Sequence, residues 1–257
     1  ILVMNPNNGE ILGMASNQEY DLNDPRNLEV LYTKDQITAM SDEEKTNALN
    51  ELWKNDVISY NYEPGSTFKP FTVAAALEEN LVSDGDTFYC DGGEDFGPTH
   101  IRCSNVNGHG TLTLGETLMK SCNDAMMQIA AKEGRKIFYN YQNSFGFGRK
   151  TGLDLPGEET GLLISVDNLN GTELATSSFG QSMNATMIQM AAAYSSLVNG
   201  GYYYQPHVVK QIVNDSGATV KQIDKILVRQ TVSAQTSKLI QEYMYKTVEE
   251  GTAKPAK

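Results

Sequence analysis

Long apolar runs are missing from this sequence of 257 residues, and so is a charged n-region leading into one. No stretch approaches the ~20 residues needed to cross a bilayer, so any signal segment or membrane anchor is expected outside this chain. Basic charge is scarce. Its 20 Lys+Arg stand against 32 Asp+Glu, for a net charge of −12. An acidic surface repels phosphate backbones, and no Lys/Arg cluster offers a local exception, so nucleic acid is not an expected partner. Three cysteines are too few for a disulfide scaffold. None of the three histidines, His100, His109 and His207, shows a carboxylate-and-serine arrangement around it. There is no internal repeat and no low-complexity linker. What remains is 40% hydrophobic and 20% charged, the composition of an ordinary globular chain with a sizeable core.

The pattern reads as one α+β domain, a helical body with strands at both ends of the sequence. Ile1 to Ser16 predicts a β-hairpin around Asn5-Pro6-Asn7-Asn8-Gly9. Residues 17–40 are polar and irregular. Ser41-Asp42-Glu43-Glu44 is a capping box opening a helix towards Trp53. Ser66 to Glu79 is apolar nearly all round, which predicts a helix buried in the middle of the domain. Residues 83–110 read as loop-rich and strand-poor, punctuated by Asp-Gly, Gly-Gly, Gly-Pro and Asn-Gly. A second capping box, Thr113 to Glu116, starts a short helix. Asp124 to Glu133 reads as another, stopped by Gly134, and Met187 to Leu197 as a third. Tyr202 to Ile212 and Thr219 to Ile223 predict strands, and Ser233 to Glu250 a final amphipathic helix. The N- and C-terminal strands are expected to share one antiparallel sheet.

Ser66-Thr67-Phe68-Lys69 is the sharpest chemical feature. A spacing of three on a helix puts hydroxyl and amine on one face, within reach of each other. Serine needs a neighbouring base to act as a nucleophile. Lysine can be that base if burial disfavours its ammonium. The pair opens the most apolar helix of the chain, where a lysine is costly to bury. Ser121-Cys122-Asn123 lies in a break between two helices. Its hydroxyl can relay a proton, and its carboxamide can hold a substrate amide. The plainer reading of Asn123 is a helix cap. Three readings of the cysteines stand side by side: a Cys90–Cys103 bridge, two ordinary half-buried thiols, and a metal site with His109. The spacings fit no standard zinc pattern, and no metal or cofactor is expected. Cys122 stands alone in the sequence, and His109 between glycines reads as structural.

Together the motifs resemble the penicillin-binding protein transpeptidases, specifically their class B form. The resemblance rests on Tyr62-Glu63-Pro64-Gly65-Ser66-Thr67-Phe68-Lys69-Pro70, on Gly108-His109-Gly110 before Ser121-Cys122-Asn123, and on Phe145-Gly146-Phe147-Gly148. Asp154-Leu155-Pro156-Gly157-Glu158 and Phe179-Gly180-Gln181 complete it. It implies a penicillin-binding protein/serine β-lactamase-like fold, a helical body plus an antiparallel sheet. It implies that Ser66 attacks the D-Ala-D-Ala carbonyl of a peptidoglycan stem peptide while Lys69 takes its proton. Ser121 would then pass a proton to the leaving D-alanine, and Asn123 would hold the donor amide. β-Lactam antibiotics would acylate the same serine. Cell-wall synthesis membrane proteins would be partners, on the extracytoplasmic face of the bacterial membrane.

The family's third motif is a Lys-Thr-Gly on a strand lining the cleft. Lys150-Thr151-Gly152 follows the other motifs in order, but its turn-rich context reads as a loop. The closing residues Val248 to Lys257 resemble the stretch just upstream of the motif strand. Residues 1–257 are thus expected to be a partial transpeptidase domain, incomplete at its C-terminal strands and poor at cross-linking alone. Two alternatives accompany this reading. One is a β-lactamase or β-lactam sensor, for which Glu158 and Glu159 are the available carboxylates. The other is an inactive module that binds wall peptide or a protein partner.

Overall fold

The computed structural model describes residues 1–17 and 19–257; Gln18, within the stretch read as irregular, lies outside them. The chain opens with the hairpin β1 (Leu2–Met4) and β2 (Ile11–Met14). Three helices follow, α1 (Lys34–Ala39), α2 (Asp42–Leu52) and α3 (Asp56–Ser59). After a 3₁₀ turn over Gly65–Phe68 comes α4 (Lys69–Glu78). Then come β3 (Thr87–Cys90), β4 (Gly93–Phe96), β5 (Thr99–Arg102) and β6 (Gly110–Thr113). The second half holds α5 (Leu114–Met119), α6 (Asn123–Ser144), α7 (Gly171–Ser177) and α8 (Met187–Val198). It ends with β7 (Tyr202–Tyr204), β8 (Gln211–Val213), β9 (Thr219–Gln222), β10 (Leu227–Gln230) and α9 (Ala234–Glu249). The α+β class holds.

The helix starts follow from local chemistry. Both boxes read from the sequence form, Ser41 with Glu44 and Thr113 with Glu116. In each, a hydroxyl accepts from an orphan amide and a carboxylate accepts in return. A Thr33–Gln36 box opens α1 inside the stretch read as irregular. Gly134 does break the helix as read, at φ 67 and ψ 163, but the chain resumes helical geometry to Ser144.

Two expectations are corrected. Residues 83–110 are not merely loop: β3 pairs with β6 and β4 with β5, both antiparallel. The strands are four residues each, too short for periodicity to stand out from the glycine punctuation. The terminal strands also share no sheet, because the described residues form only two-stranded ladders. Among the described residues, the strand pairing between the N-terminal hairpin and the C-terminal strand region is one parallel bridge, Glu10 to His207. Pro206 interrupts pairing there, having no N–H to donate. The hairpin instead buries Ile11 against Val57, Ile58, Leu153 and Ile188.

The main core is built around α4. Phe68 and Phe71 stack against each other at 5.5 Å between ring centroids. Phe147 lies 5.3 Å from both, and Phe145 and Tyr194 lie 4.9 Å from Phe71. The segment Phe145-Gly146-Phe147-Gly148 thus supplies two rings of the wall behind Ser66. Gly146, at φ 91, is the position where a Cβ would strike the Tyr203 hydroxyl at 2.6 Å.

Candidate active site

Ser66 and Lys69 fall at the junction of the 3₁₀ turn and α4. A 3₁₀ turn has three residues, so positions i and i+3 eclipse more closely than on an α-helix. Gly65, at φ 57, turns the chain into this position, and its amide donates to Gly180 O at 2.8 Å. A Cβ on Gly180 would come within 2.2 Å of Gly65 O. The Phe-Gly-Gln segment therefore carries glycine because the backbone before Ser66 lies directly against it.

Ser66 is exposed, and Lys69 is buried at 1% exposure. Burial holds the Lys69 amine down to about 8, while negative charge on Cys103 and Cys122 pulls it the other way. Lys69 Nζ donates to Ser121 O at 2.5 Å and to Ser121 Oγ at 2.8 Å. No hydrogen bond joins it to Ser66 among the described residues. The amine thus reaches across to the Ser121 loop rather than closing onto the serine one turn away. Ser121 is at φ 52, a left-handed conformation uncommon for a residue with a side chain. That backbone turn accompanies the convergence of its carbonyl and hydroxyl on the amine.

Ser66, Lys69 and Ser121 line one cavity of about 300 Å³, closed by Leu118, Tyr194 and Val248 among others. Asn123 is not among its lining residues. Its Nδ2 donates to Arg102 O at 3.2 Å. Nor is Asn123 the helix cap: Cys122 is, its sulfur accepting from Ala125 N at 3.4 Å. Tyr194 was not singled out in the sequence, where it reads as one more core residue of α8. Its hydroxyl donates to Thr67 O, and burial raises its pKa, so the phenol stays neutral. Thr252 and Ala253 also line the cavity, which brings the closing segment of the chain to the site.

Lys150-Thr151-Gly152 is irregular and does not line this cavity. Glu158 Oε1 accepts from Thr151 N and Oγ1, both at 2.6 Å, and Oε2 accepts from Gly152 N at 3.2 Å. The triplet is a tethered loop, and Glu158 is the buried carboxylate that tethers it.

Of the three readings of the cysteines, the structure sets aside the bridge. All three are free and buried, so no Cys90–Cys103 bridge is present. Cys122 does not stand alone. Its sulfur lies 3.7 Å from that of Cys103, and His109 Nδ1 lies 3.5 Å from Cys90 Sγ and 3.6 Å from Cys103 Sγ.

The sequence profile described as the penicillin binding protein transpeptidase domain matches residues 1–257. The chain is 37% identical over 257 residues to stage V sporulation protein D of Bacillus subtilis, covering 99% of this chain and 37% of that protein. It is 28% identical over 251 residues to the probable peptidoglycan D,D-transpeptidase PenA of Neisseria flavescens, covering 98% of this chain and 54% of that one. Among solved structures, the D,D-transpeptidase domain of a peptidoglycan glycosyltransferase from Eggerthella lenta superposes with a TM-score of 0.84 at 25% identity. It covers 100% of this chain and 62% of its own. Penicillin binding protein 3 of Mycobacterium tuberculosis, complexed with aztreonam, shares the fold at a TM-score of 0.77 and 24% identity, covering 98% of this chain and 52% of its own. The chain thus spans less than two thirds of the length of each of these proteins.

Proposed function

The chain belongs to the penicillin-binding protein transpeptidase family, and on that premise we propose that it carries the serine acyl-transfer site of a class B peptidoglycan D,D-transpeptidase. The supporting observation is the shared cavity, in which an exposed serine stands one turn from a buried amine whose pKa is near 8. Ser66 Oγ adds to the D-Ala-D-Ala carbonyl as Lys69 accepts its proton. The hydrogen-bonded pair Lys69–Ser121 passes a proton to the departing D-alanine amine, leaving the stem peptide esterified to Ser66. The amine of a second stem peptide displaces the serine and completes the cross-link. A β-lactam enters the same sequence, but its leaving group stays tethered and the ester persists. Asn123, at the rim of this loop, is assigned the donor amide. The substrate lies on the extracytoplasmic face of the membrane, where partner proteins of wall synthesis work. No helix among the described residues is long and apolar enough to span a membrane.

Nothing in the site favours a β-lactamase, since Glu158 is committed to the Thr151 loop. The full-length protein incubated with benzylpenicillin should gain one adduct by intact mass, mapping to the Ser66 peptide and persisting for many minutes. No adduct, or an adduct elsewhere, would overturn the assignment; rapid nitrocefin turnover would favour hydrolysis instead.

The lowered Lys69 pKa also sets a pH dependence. The neutral amine is the base, so the rate rises as pH climbs through the pKa and levels off above it. With a value of about 8, acylation should rise about tenfold between about pH 7 and about pH 9 and then flatten. A rate still climbing linearly to about pH 10 would mean an ordinary lysine. Stopped-flow acylation across that range decides it.

A further inference from the structure

Four soft ligands converge next to the catalytic loop from four separate segments. Cys90 ends β3, Cys103 follows β5, His109 precedes β6, and Cys122 caps α6. Their ligating atoms all lie within 4.8 Å of one another. Cys90, Cys103 and Cys122 are 1%, 3% and 0% exposed, and His109 is half-buried.

The separations carry the argument. A tetrahedral zinc with Zn–S of about 2.3 Å and Zn–N of about 2.0–2.1 Å sets its ligands about 3.8 Å (S to S) and about 3.6 Å (S to N) apart. The observed values are 3.7 Å for Cys103–Cys122 and 3.5 and 3.6 Å for the two sulfur–imidazole pairs. A disulfide would need about 2.05 Å between sulfurs and would engage only two of the four groups. Zinc patterns with paired ligands escape detection here because each ligand arrives singly. The topology assembles them: Cys90 pairs with Gly110 across the β3–β6 ladder, and Cys103 N donates to Gly92 O.

The surroundings suit a cation. Backbone amides of Asp124, Asn105 and Asn123 are aimed at the Cys103 sulfur, and the Ala125 amide at that of Cys122. Such outer donors fix metal thiolates in place. Asp124 is buried, and one of its carboxylate oxygens has no hydrogen-bond partner. It interacts with Cys90. Among the described groups, the cationic side chains near the cluster are Lys69, which is held by Ser121, and Lys120, which acts on His109.

We propose that Cys90, Cys103, His109 and Cys122 form a tetrahedral zinc site that fastens the Ser121–Asn123 loop to the β3–β6 hairpin. Binding releases the proton of each thiol that still carries one to solvent, and the imidazole enters neutral through Nδ1. Cys122 lies between Ser121 and Asn123, so the metal holds the left-handed backbone at Ser121 that faces Lys69. This consequence rests on the acyl-transfer reading, whereas the metal site itself does not.

Full-length protein purified under reducing conditions should carry about one zinc per chain by elemental analysis. Cobalt(II) exchanged into it should give the visible ligand-field bands and sulfur charge-transfer absorption of a tetrahedral thiolate site, a readout that needs no variant. Cys103→Ser and His109→Ala should lose the metal, whereas His100→Gln, exposed and paired with Asp95, should keep it. Chelation should lower the thermal midpoint and slow penicillin acylation without removing the Ser66 adduct. Reduced wild-type protein that takes up neither zinc nor cobalt overturns the proposal. So does wild-type protein isolated without metal and with a Cys103–Cys122 disulfide. Metal binding without any penicillin adduct would leave the zinc site standing and refute only the acyl-transfer reading.

Discussion

Lys69→Met should slow acylation of Ser66 by about 10²–10⁴-fold, the usual contribution of a positioned general base. Methionine matches the length of the buried stem and carries no proton acceptor of comparable strength. The domain should still fold, because the change removes a buried ionisable group while keeping the packing. Lys69→Arg supplies the contrast. A guanidinium keeps the positive charge and its donors, but it does not deprotonate in this range. If the amine acts as a base, both variants are slow; if it acts only through charge, arginine retains most of the rate. Timed labelling with a fluorescent penicillin, together with a thermal melt of each variant, separates these outcomes. A Lys69→Met rate within tenfold of the parent would remove Lys69 from the mechanism.

Phe71→Ala should cost about 3–5 kcal/mol of stability, the range for truncating a buried phenylalanine. Phe71 is 2% exposed and touches Phe68, Phe145, Phe147 and Tyr194. The rings around it are rigid and held by packing on three stretches of chain, so they refill the space only in part. The thermal midpoint should fall by on the order of 10 °C for a domain of this size. The chemical groups are untouched, so residual folded protein should still label at Ser66. The same substitution at Tyr89, on an exposed strand position, should move the midpoint by no more than a degree or two, since surface changes rarely exceed about 0.5 kcal/mol. A Phe71→Ala melt unchanged within that margin would mean that the aromatic wall behind Ser66 is not what holds α4 in place.

Local signals transferred well from sequence to structure. The two capping boxes at Ser41 and Thr113 formed because each needs only residues three apart. The buried helix after Ser66 was legible because a nearly uniform apolar face has no surface position. The short strands at 87–113 were not legible, since four-residue runs broken by glycine carry no period. Tyr194 was equally hidden: its hydroxyl meets Thr67 O at the wall of the Ser66 cavity, a pairing between distant segments that no local pattern encodes.

By itself the sequence singled out Ser66 and Lys69 as the proposed nucleophile and base, because the two sit within one turn of each other and one turn is a local event. It also determined the family, through motifs whose order survives along the chain. Tertiary structure alone decided where the amine points and what gathers beside it. Lys69 bonds to Ser121, and Cys90, Cys103, His109 and Cys122 meet in one small volume. Those distances are set by how hairpin and helices pack, and packing couples residues that spacing along the chain leaves far apart.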